Sequence, residues 1–142
     1  MINVFEINQL KTIDQSKGDL FKGLSINDNN YFGFGEIYFT SIYPNLIKGW
    51  KKHLKMTSNI IVLKGNVKFV IIKEFKENNR FNKVVLNEKN KQILTIFPNN
   101  WFAFQGLGNK ESLVTNIANI PHNDNEVINK NINEFKFDWE NK

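Results

Sequence analysis

A lysine and a histidine, Lys51 and His53, stand two residues apart in a segment whose residues favour a β-strand. Successive side chains of a strand point to opposite faces, so Lys51 and His53 share one face, while Trp50 and Lys52 share the other. An imidazole carries protons near neutral pH, and an ammonium group stabilises negative charge that forms during a reaction. The pair could therefore perform acid-base chemistry. If that face is solvated instead, both are ordinary surface residues.

The elements that would hold this pair are short β-type runs separated by Gly, Pro, Asn and Asp, a pattern typical of sandwiches and small barrels. The sequence predicts strands over residues 32–42, 46–53, 58–64, 66–75, 83–86, 92–96, 101–104 and 112–117. Gly65 and Asn66 predict a tight hairpin turn, because both residues accept a positive φ. The charged residues 74–82 predict an exposed loop, and the alternation of residues 135–139 predicts a short strand that fixes the C-terminus.

The composition predicts a single domain over residues 1–142. Hydrophobic residues make up 41% of the chain, far above the share typical of disordered sequences. No apolar run approaches the roughly 20 residues that span a bilayer, and the polar start differs from a signal peptide. The lack of cysteine excludes disulfides and thiolate chemistry and is compatible with a reducing compartment. We therefore expect a cytoplasmic protein that is not inserted in a membrane.

The net charge of +5 raises the question of a nucleic-acid partner. Arg80 is the one arginine among nineteen basic residues, so the bidentate contacts and planar stacking that specific readers use are nearly absent. The lysines are scattered along the chain rather than clustered. We expect no binding of nucleic acid.

The spacing around His53 resembles the first motif of the cupin family, which contains a Gly, two His, a Glu and a second Gly. At these positions the chain has Asn45, Lys51, His53, Ser58 and Gly65. The second cupin motif falls on residues 98–103, where there is no His. Because a cupin metal site needs several imidazoles with a carboxylate, we expect no bound metal and no other cofactor.

The chain resembles the metal-free cupins of the RmlC-like family, which includes dTDP-4-dehydrorhamnose 3,5-epimerases and dTDP-sugar 3,4-ketoisomerases. Residues 35–39, 48–57, 98–106 and 119–122 carry the resemblance, which extends over roughly residues 20 to 127. It implies an all-β cupin jelly-roll barrel of antiparallel strands. It also implies a homodimer in which an N-terminal segment crosses to the partner's sheet, with a nucleotide sugar bound in the barrel mouth.

In the classical epimerases a His removes the proton next to the sugar's C4 ketone, and a Tyr on a late strand acts as acid. The resemblance places these positions on Lys51 and Val114, so the chain departs from the family at both. Lysine is protonated at neutral pH and acts as a base only where its surroundings favour the neutral amine. Two assignments remain: Lys51 is the base, or it stays charged and stabilises an enolate or pyrophosphate while His53 carries the proton.

Five further residues are candidate substrate contacts. Lys48 matches the basic residue that precedes Gly in the epimerases and would meet a phosphate. The aromatic faces of Trp101 and Phe104 could stack on a base or sugar, although packing in the core is an alternative role for them. Tyr38 and Asn59 belong to the same predicted substrate site.

Two hypotheses of function follow. The first is a nucleotide-sugar epimerase or ketoisomerase, acting without metal on a dTDP-4-keto-6-deoxysugar or a similar compound in surface polysaccharide biosynthesis, with Lys51 and His53 as catalytic residues. The second is a non-catalytic cupin barrel that binds a sugar nucleotide or glycan. The retained ionisable pair favours the first hypothesis, and the absent family His and Tyr favour the second. His122 lies in a polar stretch and is expected to be exposed rather than catalytic.

Overall fold

The computed structural model describes residues 3–73 and 80–141, and most of its regular structure is β-strand. Its strands are β1 (Phe5–Gln9), β2 (Lys11–Ile13), β3 (Leu20–Lys22), β4 (Glu36–Ile42), β5 (Ile47–His53), β6 (Ser58–Lys64), β7 (Asn66–Lys73), β8 (Arg80–Asn87), β9 (Gln92–Ile96), β10 (Trp101–Gly106), β11 (Ser112–Ala118) and β12 (Val127–Asn129). Short 3-10 helices, Asp124–Glu126 and Ile132–Glu134, flank β12. Neither helix has the length or the apolar character that a membrane crossing requires, and the described ranges contain no other candidate.

Two five-stranded antiparallel sheets pack face to face. We call the sheet with the strand order β1-β9-β6-β11-β4 the first sheet, and the sheet with the order β12-β5-β10-β7-β8 the second sheet. Strands β2 and β3 form a separate antiparallel pair. The prediction of an all-β jelly roll of antiparallel strands is confirmed.

The main core lies between the two sheets, because alternate residues of the facing strands point inward. The first sheet contributes Ile60 and Val62 of β6, and the second sheet contributes Phe69 and Ile71 of β7. The intervening residues of β7 point to the other side of the second sheet, where they are also buried. Burial on both faces explains why residues 67–72 form a nearly continuous apolar run.

A C-terminal strap, residues 130–141, covers that outer face of the second sheet. Trp50 of β5 is completely buried beneath it. The Trp50 indole N–H donates a hydrogen bond to the carbonyl of Ile132 at 3.0 Å, and its ring packs on Phe135 and Trp139 with centroid distances of 5.3 and 5.6 Å. Residues 135–139 therefore attach the C-terminus through aromatic packing. The short strand predicted there is wrong, because these residues have no strand partner.

The eight predicted strands correspond to β4 through β11, and β6 and β9 have the predicted bounds. Strand β4 begins at Glu36, four residues later than predicted. Strand β8 begins at Arg80, so residues 80–82 are strand rather than loop, because they pair with β7. The remaining part of that predicted loop, residues 74–79, lies outside the described residues, as do the last two residues of the predicted fourth strand. The short strands β1, β2, β3 and β12 have no counterpart in the prediction.

The turn at Gly65 has the predicted conformation but a different topology. Gly65 has a φ of 86°, and an added Cβ would overlap the side chain of Ser112, so the position requires glycine. The strands on either side do not pair with each other. Strand β6 pairs with β9 and β11, and β7 pairs with β8 and β10. The predicted hairpin is therefore wrong, because the chain passes here from the first sheet to the second.

Gly49 of β5 provides a test of how closely β5 packs on β10. Its φ is 137°, and an added Cβ would lie 2.5 Å from the Cβ of Ala103, whereas Gly18 has a φ of 130° and open space around it. Both positions strain an alanine backbone, but only Gly49 adds a steric overlap. We expect Gly49→Ala to lower the free energy of unfolding by about 2 kcal/mol more than Gly18→Ala does. Urea denaturation measures both losses, and equal losses would contradict the packing.

Candidate active site

A cavity of about 530 Å³ opens between the two sheets beside β5. Its apolar lining includes Met56, Ile60, Phe69 and Val114. Polar side chains join this lining from β4 and β11 of the first sheet and from β5 of the second. An apolar cavity with a few convergent polar groups is the usual form of a small-molecule site.

The cavity brings together most of the residues that the sequence singled out. Its lining includes Lys51, His53, Lys48, Tyr38 and Phe104. As predicted, Trp50 and Lys52 lie on the opposite face of β5. Trp50 packs beneath the C-terminal strap, and the Lys52 ammonium lies 5.0 Å from the ring centre of Trp101. Lys51 and His53 thus face the cavity from one side of the strand.

Asn59 and Trp101 lie away from the cavity, which corrects their placement among the substrate contacts. Asn59 alternates with Ile60 on β6 and points to the outer face of the first sheet, where its amide donates to the carbonyl of Asn30 at 2.9 Å and its oxygen accepts from Thr95 at 2.6 Å. Trp101 alternates with Phe102 on β10. Its buried ring packs on the C-terminal strap on the outside of the second sheet. In both cases strand alternation places the neighbouring side chain in the cavity instead.

His53 is hydrogen-bonded to a buried carboxylate. Its Nδ1 lies 2.5 Å from Oε1 of Glu126, and the two side chains are 11% and 4% exposed. Glu126 ends a 3-10 helix that is capped by the side chain of Asn123, and the next residue, Val127, pairs with His53 across β12 and β5. The backbone therefore holds the carboxylate and the imidazole side by side.

The surroundings of Glu126 keep its carboxylate charged. Burial alone raises the pKa of this group, but the hydrogen bond from His53 and those from the backbone N–H groups of Lys55 and Met56 outweigh burial and lower the pKa below its usual value. An acceptor at Nδ1 selects the neutral tautomer of His53 that carries its proton on Nδ1. In that tautomer Nε2 has a lone pair that can accept a proton.

Tyr38 contributes a phenol from β4, on the first sheet. Its hydroxyl donates to Oε1 of Glu36 at 3.1 Å. Burial, the hydrogen bond to Glu36 and the negative charges of Glu36 and Glu126 raise the pKa of Tyr38, with burial as the largest cause. The phenol therefore remains a hydrogen-bond donor at neutral pH.

His122 also lines the cavity, from the segment that follows β11. Its side chain is 52% exposed, in agreement with the prediction from the sequence, and its Nε2 lies 2.7 Å from Oδ1 of Asp124. Its backbone N–H donates to Oε1 of Glu36 at 3.4 Å. His122 thus lines the cavity while its side chain remains in contact with solvent, so its location differs from that of an ordinary surface residue.

Glu126 cannot be identified from the sequence, because this residue is 73 positions away from His53 and belongs to no motif. Val114, where the resemblance places the acidic tyrosine of the epimerases, presents an apolar side chain to the cavity. Within residues 3–73 and 80–141 there is no group of three or more His, Cys, Asp or Glu side chains that could hold a metal ion. The ionisable side chains that line the cavity are those of His53, His122, Lys48, Lys51 and Tyr38.

Comparison with known proteins relates this geometry to enzymes that act on sugars. No family model matches the chain. A probable low-salt glycan biosynthesis epimerase from Haloferax volcanii is 22% identical over 147 residues, which cover 97% of this chain and 94% of that protein. A dTDP sugar isomerase from Desulfovibrio desulfuricans G20 superposes with a TM-score of 0.89 and 27% identity, over 97% of this chain and 92% of the isomerase.

A more distant structure shares the fold. The dTDP-6-deoxy-D-glucose-3,5-epimerase RmlC from Legionella pneumophila, solved in complex with dTDP-4-keto-L-rhamnose, superposes with a TM-score of 0.80. It is 13% identical to this chain, and the alignment covers 92% of this chain and 74% of the epimerase.

The buried carboxylate predicts a specific acid sensitivity. The pKa of Glu126 is lower in the folded chain than the usual value of 4.5, so its ionised form stabilises the fold above that pH, and this contribution disappears as the pH falls through the folded value. We expect Glu126→Gln to lower the free energy of unfolding by about 1–3 kcal/mol at neutral pH and by much less in acid. Urea denaturation across this pH range measures the difference, with the exposed Glu140→Gln as control. A loss that is constant with pH would contradict the assignment.

Proposed function

We propose that this chain is an RmlC-like sugar-nucleotide epimerase or isomerase that acts on a dTDP-linked 4-keto-6-deoxysugar or a close analogue. The observation that carries the proposal is the His53–Glu126 pair, which borders the same cavity as Lys51 and Tyr38. A carboxylate-oriented imidazole is a suitable base for removing a proton next to a carbonyl. The cationic and phenolic groups suit the oxygen that becomes negative when that proton leaves.

The reaction begins with removal of the proton next to the C4 ketone. Nε2 of His53 accepts this proton, while Glu126 stabilises the imidazolium that forms through the hydrogen bond at Nδ1. The electrons of the broken C–H bond form a carbon–carbon double bond, and negative charge moves to the carbonyl oxygen. The Tyr38 hydroxyl, which donates to Glu36 in the structure, turns to donate to this oxygen, and the Lys51 ammonium stabilises the negative charge on the same oxygen. Return of a proton to the opposite face of the same carbon inverts its configuration. Return to the former carbonyl carbon moves the ketone, because the hydroxyl on the first carbon then passes its proton to the former carbonyl oxygen.

Of the two assignments that the sequence leaves open, the contacts favour His53 as the base and Lys51 as the charged group. His53 is held in one tautomer by Glu126 and is largely enclosed, which suits proton transfer to a defined atom. Lys51 is exposed at its position on β5, so its ammonium group is well solvated. A solvated ammonium stabilises an anion without losing its own proton.

In the proposed complex, the nucleotide binds at the end of the cavity that carries the lysines. Lys48 and Lys51 supply positive charge for the pyrophosphate, and the Lys48 ammonium is directed by a hydrogen bond to the carbonyl of Ser41 at 2.7 Å. The rings of Phe104 and Phe69, with centroids 5.4 Å apart, provide an apolar surface for the base or sugar.

A non-catalytic sugar-binding barrel is the second candidate function, favoured by the apolar Val114 at the position of the family's acidic tyrosine. Binding alone, however, does not require the carboxylate that orients His53. The pathway proposed for the enzyme is surface polysaccharide biosynthesis, and its proposed location is the cytoplasm, in keeping with the absence of cysteine.

A homodimer is proposed because β4 and the segment before it expose apolar side chains. Phe32, Phe34, Ile37 and Phe39 are all exposed, although their neighbours on the cavity side of β4 are partly buried. An apolar patch at a sheet edge is typical of a protein–protein interface. The predicted strand exchange does not involve β1, which pairs with β9 of its own chain. The exposed β2–β3 pair is the N-terminal element that could reach a partner.

Proton removal is tested by exchange with solvent. In D₂O we expect the protein to introduce deuterium next to the ketone of dTDP-4-keto-6-deoxyglucose, as measured by NMR. His53→Gln and Lys51→Gln should each slow this exchange by about 100-fold, because they remove the base and the stabilising charge.

The matched control is Lys52→Gln, which changes the neighbouring lysine on the outer face and should retain exchange. Thermal shifts with dTDP verify that each variant still binds the nucleotide. Binding of the sugar nucleotide without any exchange by the native protein would favour the non-catalytic function. Exchange that survives His53→Gln would reject His53 as the base.

The interface is tested by light scattering at micromolar concentration. We expect the native chain to be a dimer and Phe39→Asp to be a monomer, because a charge would have to be buried at the apolar contact. Val85→Asp changes an exposed apolar residue of β8 and should leave the dimer intact. A monomeric native chain, or a dimeric Phe39→Asp variant, would contradict this interface.

A further inference from the structure

Both histidines of the sequence line the same cavity, and each is hydrogen-bonded to a carboxylate. His53 and Glu126 form the enclosed pair, with side chains 11% and 4% exposed. His122 and Asp124 form an open pair, with side chains 52% and 93% exposed. The proposed reaction uses the enclosed pair to remove a proton, and it leaves the open pair without a role.

The segment that carries His122 is held against β4 and the residue before it. An added Cβ at Gly35 would overlap the backbone of Ile120 and Pro121, so this contact is too close for any side chain. The backbone N–H of His122 donates to Glu36, the same carboxylate that accepts the Tyr38 hydroxyl. The backbone of His122 is therefore held beside the carboxylate that contacts Tyr38, which lies on the first sheet.

The two pairs differ in their access to water. A proton taken by the enclosed imidazole of His53 exchanges slowly with solvent, whereas the exposed ring of His122 takes protons from water directly. Because Nε2 of His122 is occupied by Asp124, Nδ1 is the atom that can meet a ligand. The cavity lining also contains Val114, where the resemblance places the tyrosine of the epimerases, and its apolar side chain cannot supply a proton.

We propose that His122 is a second catalytic residue, which delivers a proton from solvent to the intermediate that His53 creates; this inference rests on the proposed function. His53 takes the proton from the α carbon, and the bonding electrons form the enolate. Nδ1–H of protonated His122 then gives its proton to carbon, and the enolate electrons form the new C–H bond. His122 regains a proton from water and His53 releases one, so the substrate's hydrogen is replaced by one from solvent.

Retention of an isotopic label tests whether His53 removes the proton and His122 delivers the new one. The substrate is dTDP-4-keto-6-deoxyglucose that carries deuterium at the exchangeable α carbon, and the reaction runs in ordinary water. The native protein should give product that has lost the label. His122→Gln should form product about 100-fold more slowly, and the recovered sugar nucleotide should retain the label, because His53 returns the label to the face from which it came. NMR measures the amount of product, and mass spectrometry measures the label that remains in the sugar nucleotide.

The control is Asn125→Ser, an exposed position in the same segment that does not line the cavity, and it should match the native protein. A merely structural role of His122 would slow the reaction but leave the label lost, and this result would overturn the inference. So would a His122→Gln variant with the native rate. If the native protein neither forms product nor loses label, the proposed function fails as well, and His53→Gln then behaves like the native chain.

Discussion

The rest of the site is arranged around the hydrogen bond between His53 and Glu126. This bond joins β5 of the second sheet to the segment that follows β11 of the first sheet. A carboxylate with little solvent exposure is stable as an anion only when donors surround it. Here the donors are the imidazole and two backbone N–H groups of residues 55 and 56, just after β5. The same contacts that solvate the carboxylate also fix the ring and its tautomer. The contacts that stabilise the anion are thus the same contacts that orient the imidazole.

This arrangement depends on packing outside the cavity. Strand β12 follows Glu126 directly and pairs with β5, and the C-terminal strap continues over Trp50 on the outer face. At the other end of the strap, the buried Lys68 donates to the carbonyl of Trp139 at 3.1 Å. Trp50 lies between two cavity-lining residues, Gly49 and Lys51. The strap therefore packs on the face of β5 that is opposite the cavity. The aromatic residues near the C-terminus therefore contribute to the shape of a cavity that they do not line.

The sequence was most informative where one strand decides the geometry. Alternation placed Lys51 and His53 on a common face correctly, because that relation needs no knowledge of neighbouring strands. Asn59 and Trp101 were placed incorrectly, since the direction of a strand face depends on which sheet the strand joins. The turn at Gly65 shows the same limit: glycine predicts the positive φ, but the sheet that each flanking strand enters is a long-range choice. Glu126 was beyond reach, because only the folded topology brings it to β5.

The register of β4 and β11 explains how the cavity can replace the family's late-strand tyrosine. Val114 pairs with Thr40, and Asn116 pairs with Tyr38, so Tyr38 is a diagonal neighbour of Val114 in the same sheet. Diagonal side chains on one face of an antiparallel pair are about 7–8 Å apart, within the reach of a phenol. The part of the cavity lining around Val114 therefore contains a hydroxyl group, that of Tyr38. The donor comes from the adjacent strand, and Glu36 beside it connects the phenol to the backbone of His122. The two histidines of the cavity thus differ in their access to solvent, since His53 is largely enclosed and His122 is exposed. This difference suits a reaction in which one proton leaves the substrate and another arrives from water.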